Sequence, residues 1–326
     1  MSVHAPSIDD IRAFRERIAG RIIHTPVVPC RWAEDDMAPD TQVHGKLEFL
    51  QKTGTFKARG ALANVLSLNE DQLANGVCAV SAGNHAIATA FAAREAGTTA
   101  KVVMLEHSNE ERKRRCREFG AEVTLAANVH EAFDRVREIE ASENRFFVHP
   151  FEGEAVALGT GTVGLEMVEQ CPDFDTLIVP VGGGGLIAGI ANAVRQMKPD
   201  CRIIGVEPVG ADSMRRSFDS GVPESIGSVN TIADSLGAPF AMPYSFELTR
   251  NNVDDIVLVD DDALAAMMGR QFTDMKIAVE PACAAAATAL LGPLRDELAG
   301  HSIMLTFCGS NIDWKSFHEM AHFVDG

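Results

Sequence analysis

One uncharged run constrains the fold of this chain more than any other segment. Residues 177–194 read LIVPVGGGGLIAGIANAV, which is 18 residues without a single charge. That length approaches what a membrane-spanning helix requires. Five glycines, a proline and an asparagine argue against such a helix, because glycine and proline destabilise helix interiors. We therefore predict a buried strand, a tight glycine loop and a helix here, and no membrane span.

Similar short apolar segments recur along the chain and alternate with helical patterns. The predicted strand segments are GVCAV (76–80), AKVVML (100–105), FFVHPF (146–151), TLIVPV (176–181), CRIIGVEP (201–208) and SIMLTF (302–307). Strands and helices that alternate at this spacing indicate βαβ units and parallel sheets. No Pro-rich or Ser-rich linker divides the chain. We predict an α/β fold in which two parallel-sheet lobes pack over a cleft.

The composition narrows the class of protein. Of the 326 residues, 46% are hydrophobic and 23% are charged, which suits a globular protein of one large or two medium domains. The net charge of −17 disfavours nucleic acid and anionic membranes as partners. Seven scattered cysteines without a C-x-x-C pair argue against a disulfide framework and a structural zinc site. Because the N-terminus also lacks the pattern of a signal peptide, we expect a cytoplasmic location.

The glycine loop between a strand and a helix has the features of a phosphate-binding site. Backbone N–H groups can approach a phosphate closely there, and the helix dipole adds partial positive charge. A tight turn without a ligand is the simpler alternative. A dinucleotide site is a more specific alternative, since Gly183, Gly185 and Ala188 fit G-x-G-x-x-A and Glu207 ends the next strand. The loop by itself leaves these interpretations open.

Three further segments carry reactive or anion-binding groups. Lys57 lies in QKTGTFKARGA, behind a Gly-Thr-Phe turn at the predicted start of a helix. The turn SAGNH (81–85) opens another helix, whose first N–H groups suit a carboxylate. Cys308 lies in TFCGSN, where a strand runs into a glycine turn. A lysine, a phosphate loop, a second anion site and a neutral polar group are what a lysine-bound pyridoxal phosphate and an amino-acid substrate require.

The chain resembles the fold-type II pyridoxal-phosphate enzymes, specifically the serine/threonine dehydratase and serine racemase family. The matching segments run in the family's order from about residue 24 to 313 and include HTPVV, KLEFLQKTGTFKARGA, SAGNHA, VHPFEGE, VGGGGLIAGI, TIAD and CGSNID. The resemblance implies a tryptophan synthase β-like fold and a homodimer. It also implies a large domain of residues 1–70 and 154–326 and a small mobile domain of residues 71–153. A dehydrogenase would not explain the Lys57 and Cys308 segments, so we set that interpretation aside.

The resemblance assigns roles to particular residues of this sequence. Lys57 would form the Schiff base with the cofactor and then take the α-proton of the substrate. Asn84 would bind the phenolic oxygen of the ring, Phe56 would pack beside the ring and Cys308 would face the pyridine nitrogen. The cofactor phosphate would be bound by Gly182, Gly183, Gly184, Gly185 and Leu186. The substrate carboxylate would be bound by the turn Ser81, Ala82, Gly83, Asn84 and His85.

Departures from the family pattern bear on the reaction. Ala82 stands where racemases of the family have a second serine that acts on the opposite face. The resemblance therefore implies a dehydratase that converts a β-hydroxy-α-amino acid such as L-threonine or L-serine into a 2-oxo acid and ammonia. A 3-hydroxyaspartate dehydratase is the alternative, which needs a cation for the distal carboxylate; a racemase and a non-enzymatic sensor rank below it. Ser235 also departs from the family, where glycine is usual, as does Thr160, where glutamine is usual.

Other positions have weaker signals. Glu207 and Ala211 match the family's divalent-cation site, but Ser213 replaces its aspartate, so a Mg²⁺ ion stays an open question and we assign no metal ligand. The resemblance gives Glu280 a supporting role near the ring nitrogen. His149 is expected to be a structural residue of the cleft. The basic segment ERKRRCREFG (111–120) is predicted to be a solvated helix face, and no regulatory domain is expected after CGSNID.

Overall fold

A computed structural model describes residues 3–323 and contains two β-sheets. In chain order the strands are β1 (Val27–Pro29), β2 (Gln42–Leu47), β3 (Val77–Val80), β4 (Ala100–Leu105), β5 (Glu122–Ala126), β6 (Phe146–Phe147), β7 (Thr176–Pro180), β8 (Arg202–Pro208), β9 (Asp255–Val259) and β10 (Ser302–Phe307). All strand pairs are parallel except β1 with β2. The predicted α/β architecture with two parallel-sheet lobes is confirmed, apart from this antiparallel edge strand.

Helices connect and cover the strands. They are α1 (Ile8–Arg17), α2 (Arg31–Glu34), α3 (Lys57–Leu66), α4 (Glu70–Asn75), α5 (Asn84–Glu95), α6 (Glu110–Glu118), α7 (Val129–Glu143), α8 (Glu154–Gln170), α9 (Gly185–Met197), α10 (Ser213–Ser220), α11 (Pro243–Asn252), α12 (Asp261–Met275), α13 (Pro281–Leu291) and α14 (Trp314–Met320). Among the described residues, no helix combines the length and the apolar character needed to cross a membrane. The run 177–194 instead forms β7, the glycine loop and most of α9, as predicted.

The strand order places the two sheets in separate lobes. The order β1-β2-β10-β7-β8-β9 forms a six-stranded sheet, and β5-β4-β3-β6 forms a four-stranded one. Each sheet has its own apolar core, because helices cover both faces of its parallel strands. We call the lobe with the four-stranded sheet the small lobe and the other the large lobe. The central strand β7 is buried along its whole length, as its uncharged sequence predicts.

The topology brings the chemistry-bearing segments to the carboxyl ends of parallel strands. The turn after β3 leads into α5, the glycine loop after β7 leads into α9, and Cys308 directly follows β10. Ligand sites of open α/β sheets form at such ends. Only residues 146–147 of the predicted strand 146–151 are extended, because the chain then turns at His149, whose Nδ1 accepts the backbone N–H of Glu152 at 2.9 Å. This turn carries Pro150 and Phe151 to the site.

Candidate active site

Two adjoining hollows lie between the lobes, and the residues singled out from the sequence line them. The inner cavity is lined by Phe56, Lys57, Asn84, Gly182, Gly183, Gly184, Gly185, Leu186 and Cys308. The outer cleft, with a volume of about 330 Å³, is lined by Lys57, Ser81, Ala82, Gly83, Asn84 and His85. Lys57 and Asn84 belong to both hollows, so one lysine faces the glycine loop and the Ser81–His85 turn together.

Lys57 is the first residue of α3, and the chain around it is fixed on both sides. The Phe56 N–H donates to the carbonyl of Cys308 at 3.1 Å, and Thr55 forms a β-bridge with Gly309. The Lys57 Nζ donates to the Pro150 carbonyl at 2.6 Å. Burial lowers the pKa of Lys57 from 10.5 to about 8, although the nearby Cys308 and Glu280 act to raise it. About a tenth of the amine is therefore neutral at pH 7, and about half at pH 8.

The glycine loop is shaped by the segment that also binds Lys57. Gly184 has a φ of +88°, a left-handed conformation that favours glycine, and it caps α9. A Cβ on Gly185 would lie 2.6 Å from the Phe151 carbonyl oxygen, so no side chain fits there. Thr160 also fixes the position of Gly185, because its hydroxyl donates to the Gly185 carbonyl at 2.8 Å. The first N–H groups of α9 have no partner within the helix, and they can bind an anion.

Asn84 belongs to a buried polar network at the other end of the inner cavity. Its Nδ2 donates to Glu280 Oε1 at 2.7 Å and to Ser235 Oγ at 3.1 Å. Its Oδ1 accepts from Asn311 Nδ2 at 2.8 Å. Burial is the largest cause that raises the pKa of Glu280. The network fixes the orientation of the Asn84 amide at the inner cavity.

Cys308 is buried, lines the inner cavity and stays a neutral thiol. The hydrogen bond with Cys283, together with burial, raises the pKa of Cys308 well above its ordinary value. Because the thiol stays protonated, the group at this position is a weak and uncharged hydrogen-bonding partner.

The Ser81–His85 turn lines the outer cleft and leads into α5. The Ser81 hydroxyl accepts the Gly83 N–H at 3.1 Å, and His85 Nε2 lies 2.8 Å from the Val148 carbonyl. Burial and the nearby Lys57 lower the pKa of His85 to about 3, so this ring is neutral. Ala82 is exposed and places only a methyl group in the cleft.

The basic segment on α6 is only in part the solvated face that the sequence predicted: Arg114 is exposed and pairs with Glu111 and Glu118, but two of its neighbours are covered. Arg112 and Lys113 are buried, with exposed fractions of 7% and 2%. Lys113 Nζ donates to the Glu106 carbonyl at 2.8 Å, and Arg112 lines the outer cleft and pairs with Asp234. Arginine can be buried where carboxylates neutralise it, and that condition depends on residues far away in sequence. The buried Cys116, one turn after Arg112, was the local signal that this face of α6 is covered.

Glu207 is the residue on which the divalent-cation site left open by the sequence depends. Its carboxylate oxygens accept the N–H groups of Met214 and Arg215 at 2.9 and 2.7 Å, at the first turn of α10. Ser213, which replaces the expected aspartate, donates to the Ala238 carbonyl at 3.2 Å. Within residues 3–323, no group of three or more His, Cys, Asp or Glu side chains could hold a metal ion. The carboxylate thus caps the first turn of α10.

The residues around the inner cavity fit a pyridoxal phosphate. A lysine amine, a backbone anion site, a fixed amide and a neutral thiol surround one cavity, and these match the aldehyde, the phosphate, the phenolic oxygen and the ring nitrogen of that cofactor. The outer cleft then remains for a substrate.

Comparisons with known proteins agree with this arrangement. The family model described as "Pyridoxal-phosphate dependent enzyme" matches residues 18–309. The chain is 50% identical over 312 residues to a phenylserine dehydratase of Ralstonia pickettii, covering 96% of this chain and 95% of that protein. It is 35% identical over 321 residues to a catabolic L-threonine dehydratase of Escherichia coli, covering 98% and 97%. The structure of maize serine racemase superposes with a TM-score of 0.90 at 32% identity and covers 97% of both chains.

The lysine, the glycine loop and these similarities lead to one assignment. The chain belongs to the pyridoxal-phosphate dependent enzymes, in their group of serine/threonine dehydratases and serine racemases, as its sequence motifs indicated.

Proposed function

We propose that this protein is a pyridoxal-phosphate dependent dehydratase (ammonia-lyase) that acts on β-hydroxy-α-amino acids. The observation that carries the proposal is the Lys57 amine, which lines the outer cleft and has its pKa lowered to about 8. His85 is not a second base of this strength, because its pKa is too low, and position 82 is an alanine. A base on one side supports elimination more than racemisation, which needs a proton donor on the opposite side.

The proposal gives each residue of the site a separate role. Lys57 would hold the cofactor and, as a neutral amine, take the α-proton. The N–H groups of Gly182–Gly185 and Leu186 would bind the phosphate, Asn84 and Phe56 would orient the ring, and Cys308 would meet its nitrogen without a charge. The turn Ser81–His85 would bind the substrate carboxylate. When bound, pyridoxal phosphate withdraws electrons from the α-carbon of the amino acid.

The overall reaction balances without a further co-reactant. The α C–H bond and the β C–O bond break, and the α-proton and the β-hydroxyl leave as one water. The released enamine takes up a proton at the β-carbon and becomes an imine, which one water hydrolyses to a 2-oxo acid and ammonia. The net change is the loss of ammonia from the β-hydroxy-α-amino acid.

The outer cleft suits a large apolar β-substituent. Three of the exposed large hydrophobic side chains of the protein, Val129, Phe133 and Phe240, line this cleft. Phe151 lies beside Phe240, with ring centroids 6.2 Å apart. Grouped exposed apolar side chains mark ligand sites. With the similarity to a phenylserine dehydratase, this lining supports an aryl group on the β-carbon, with threonine and serine as smaller substrates.

A panel of β-hydroxy amino acids tests the proposal. The purified protein, loaded with pyridoxal phosphate, should release ammonia and the matching 2-oxo acid from both diastereomers of phenylserine, or from one of them, and from threonine or serine at a lower kcat/KM. Loss of optical activity without ammonia would instead indicate a racemase.

The aromatic wall gives a substrate-dependent prediction. Phe133→Ala should lower kcat/KM for phenylserine roughly tenfold, because an aryl substituent loses apolar contact, and should change kcat/KM for threonine less than about threefold. Phe272→Ala is the control, since Phe272 is similarly exposed at 36% and does not line the cleft. Equal losses for both substrates would argue against an aryl-binding role.

The close approach of Phe151 gives a second prediction. Gly185→Ala should weaken pyridoxal phosphate binding at least tenfold in a titration of the apoprotein, because the new Cβ collides with the Phe151 backbone and moves the loop. Gly227→Ala should leave the affinity unchanged, since its Cβ would meet no atom within 4 Å. Equal affinities of the two variants would contradict the phosphate assignment.

The lowered pKa of Lys57 makes the rate of cofactor capture depend on pH. Capture of pyridoxal phosphate by the apoprotein should speed up about tenfold per pH unit below 8 and level off above it, because the neutral amine reacts and its pKa is lowered to about 8. Stopped-flow absorbance measures this rate. A rate that keeps rising to about pH 10 would indicate an ordinary lysine.

The proposal extends to domain organisation and assembly. Residues 71–153, which include the four strands of the small lobe, would move as a unit relative to residues 1–70 and 154–326 when substrate binds. A homodimer in the cytoplasm is the corresponding proposal for assembly and location. Light scattering of the holoprotein, and hydrogen exchange with and without substrate, would test the dimer and the movement.

A further inference from the structure

Ser235 reaches both hollows of the site. It lies in the short turn Asp234–Leu236, is half-buried and lines the inner cavity as well as the outer cleft. Its backbone packs against the glycine loop, since a Cβ on Gly182 would lie 3.3 Å from the Ser235 carbonyl oxygen. Ser235 is therefore held between the loop proposed for the phosphate and the amide of Asn84.

Both N–H hydrogens of the Asn84 side chain already have acceptors within the protein. An amide group carries two such hydrogens, and those of Asn84 Nδ2 go to Glu280 Oε1 at 2.7 Å and to Ser235 Oγ at 3.1 Å. Glu280 is 2% exposed, so taking a donor away from its carboxylate carries the cost of an unpaired buried group. A phenolic oxygen bound directly to Asn84 would therefore have to break the bond with Ser235.

The proton of the Ser235 hydroxyl can be redirected at a lower cost. It goes to Asp234 Oδ1 at 3.2 Å, and the Asp234 side chain is 53% exposed and also pairs with Arg112. Water and Arg112 can satisfy Asp234 when the hydroxyl turns away. Because a hydroxyl rotates to suit its acceptor, the Ser235 oxygen keeps its bond from Asn84 while the proton moves. An ionised phenolic oxygen in the inner cavity offers a charged acceptor shielded from water, where such a bond is stronger than at an exposed carboxylate.

We propose that Ser235 is a cofactor-binding residue whose hydroxyl donates to the phenolic oxygen of pyridoxal phosphate, while Asn84 orients that hydroxyl by donating to its oxygen. The inference rests on the proposed function and deepens it, because Asn84 then acts on the phenolic oxygen through Ser235. The family usually has glycine at this position, so the hydroxyl is a departure of this chain. Asn84, Ser235 and the phenolic oxygen would form a chain of hydrogen bonds that polarise one another.

The replacement that tests this role is Ser235→Ala, which removes the hydroxyl and keeps the Cβ. The apoprotein is titrated with pyridoxamine 5′-phosphate, which has the phosphate and the phenolic oxygen but no aldehyde to react with Lys57. We expect its dissociation constant to rise roughly tenfold, because a hydrogen bond to a charged oxygen is lost. The freed N–H of Asn84 should not replace this bond, since Asn84 Nδ2 lies 3.1 Å behind the lost oxygen.

Inorganic phosphate separates a lost contact from a displaced glycine loop. It is added as a competitor of pyridoxamine phosphate, and its inhibition constant should be the same for the wild type and for Ser235→Ala, because it has no phenolic oxygen. Ser228→Ala is the matched control and should leave both constants unchanged, since Ser228 is exposed and is not among the lining residues of either hollow. Ser235→Gly is a second variant without the hydroxyl and should show the same loss as Ser235→Ala.

The outcomes distinguish this inference from the function on which it rests. If the wild type dehydrates phenylserine or threonine while Ser235→Ala binds pyridoxamine phosphate as tightly as the wild type, or more tightly, the inference is wrong and the function stands. A loss of affinity that inorganic phosphate shares to the same extent would also overturn it, because the loop and not the phenolic oxygen would be affected. If the wild type dehydrates none of the substrates, the proposed function fails, and a loss confined to pyridoxamine phosphate would still support the role of Ser235.

Discussion

Lys57→Ala is expected to abolish ammonia release while the protein stays folded. The loss should be about 10³-fold or more in kcat, because both the attachment of the cofactor and the base that takes the α-proton are removed. The effect on folding should be small, since Lys57 is half-buried and its ammonium group makes one hydrogen bond, to the Pro150 carbonyl. Ammonia release, thermal unfolding and the absorbance of bound cofactor measure the three consequences.

A second lysine provides the control for this prediction. Lys52 lies five residues earlier, is exposed and donates to the Gly20 carbonyl at 2.9 Å. Lys52→Ala should retain the activity and the cofactor absorbance of the wild type. If Lys57→Ala kept wild-type activity, or if both variants lost it equally, the role of Lys57 would have to be abandoned.

Glu166→Gln is expected to destabilise the protein by about 3–5 kcal/mol, the cost of breaking one partner of a buried ion pair. Glu166 accepts from Arg59 at 2.7 and 2.8 Å and from Lys46 at 2.6 Å. Arg59 also donates to Glu48 at 2.9 Å, and all four side chains are at most 1% exposed. Two cations balance two carboxylates in the native protein, and the variant leaves one positive charge uncompensated.

This network lies directly behind the candidate active site. Arg59 follows Lys57 by two residues on α3, and its ion pair with Glu166 joins α3 to α8. The free energy of unfolding in urea measures the effect, and Glu118→Gln is the exposed control, since its pair with Arg114 should contribute less than about 1 kcal/mol. The double variant Lys46→Met/Glu166→Gln restores charge balance and should be more stable than Glu166→Gln. If Glu166→Gln lowered the free energy of unfolding by less than about 1 kcal/mol, these four residues would not form a buried network of compensating charges.

Local patterns in the sequence were sufficient for the fold class and for the segments of the site. The glycine run predicted a strand, a loop and a helix because four glycines and an apolar flank leave few alternatives, and α9 occupies Gly185–Met197 as expected. The antiparallel pairing of β1 with β2 was not predicted, since strand order depends on contacts between segments and not on periodicity. The meeting of Lys57, Cys308 and the glycine loop in one cavity followed from family motifs and not from spacing.

Buried charges were where sequence reasoning failed. Arg112 was assigned to a solvated face because arginine is usually exposed, and its burial depends on Asp234 and Glu280, more than 100 residues away. Arg59 and Glu166 were not recognised as a buried pair for the same reason. A charge pattern along one helix shows which residues are ionised, but it does not show which distant carboxylate neutralises them.

The most direct test of the account is product analysis with phenylserine. The wild-type enzyme loaded with pyridoxal phosphate should convert phenylserine into phenylpyruvate and ammonia in equal amounts, with no product from Lys57→Ala. Quantifying both products in the same sample, together with the enantiomeric purity of the remaining substrate, distinguishes the reactions. Equal amounts of the two products would support a β-hydroxy-α-amino acid dehydratase that uses Lys57. Racemised substrate without ammonia, or no reaction with phenylserine, threonine or serine, would contradict it.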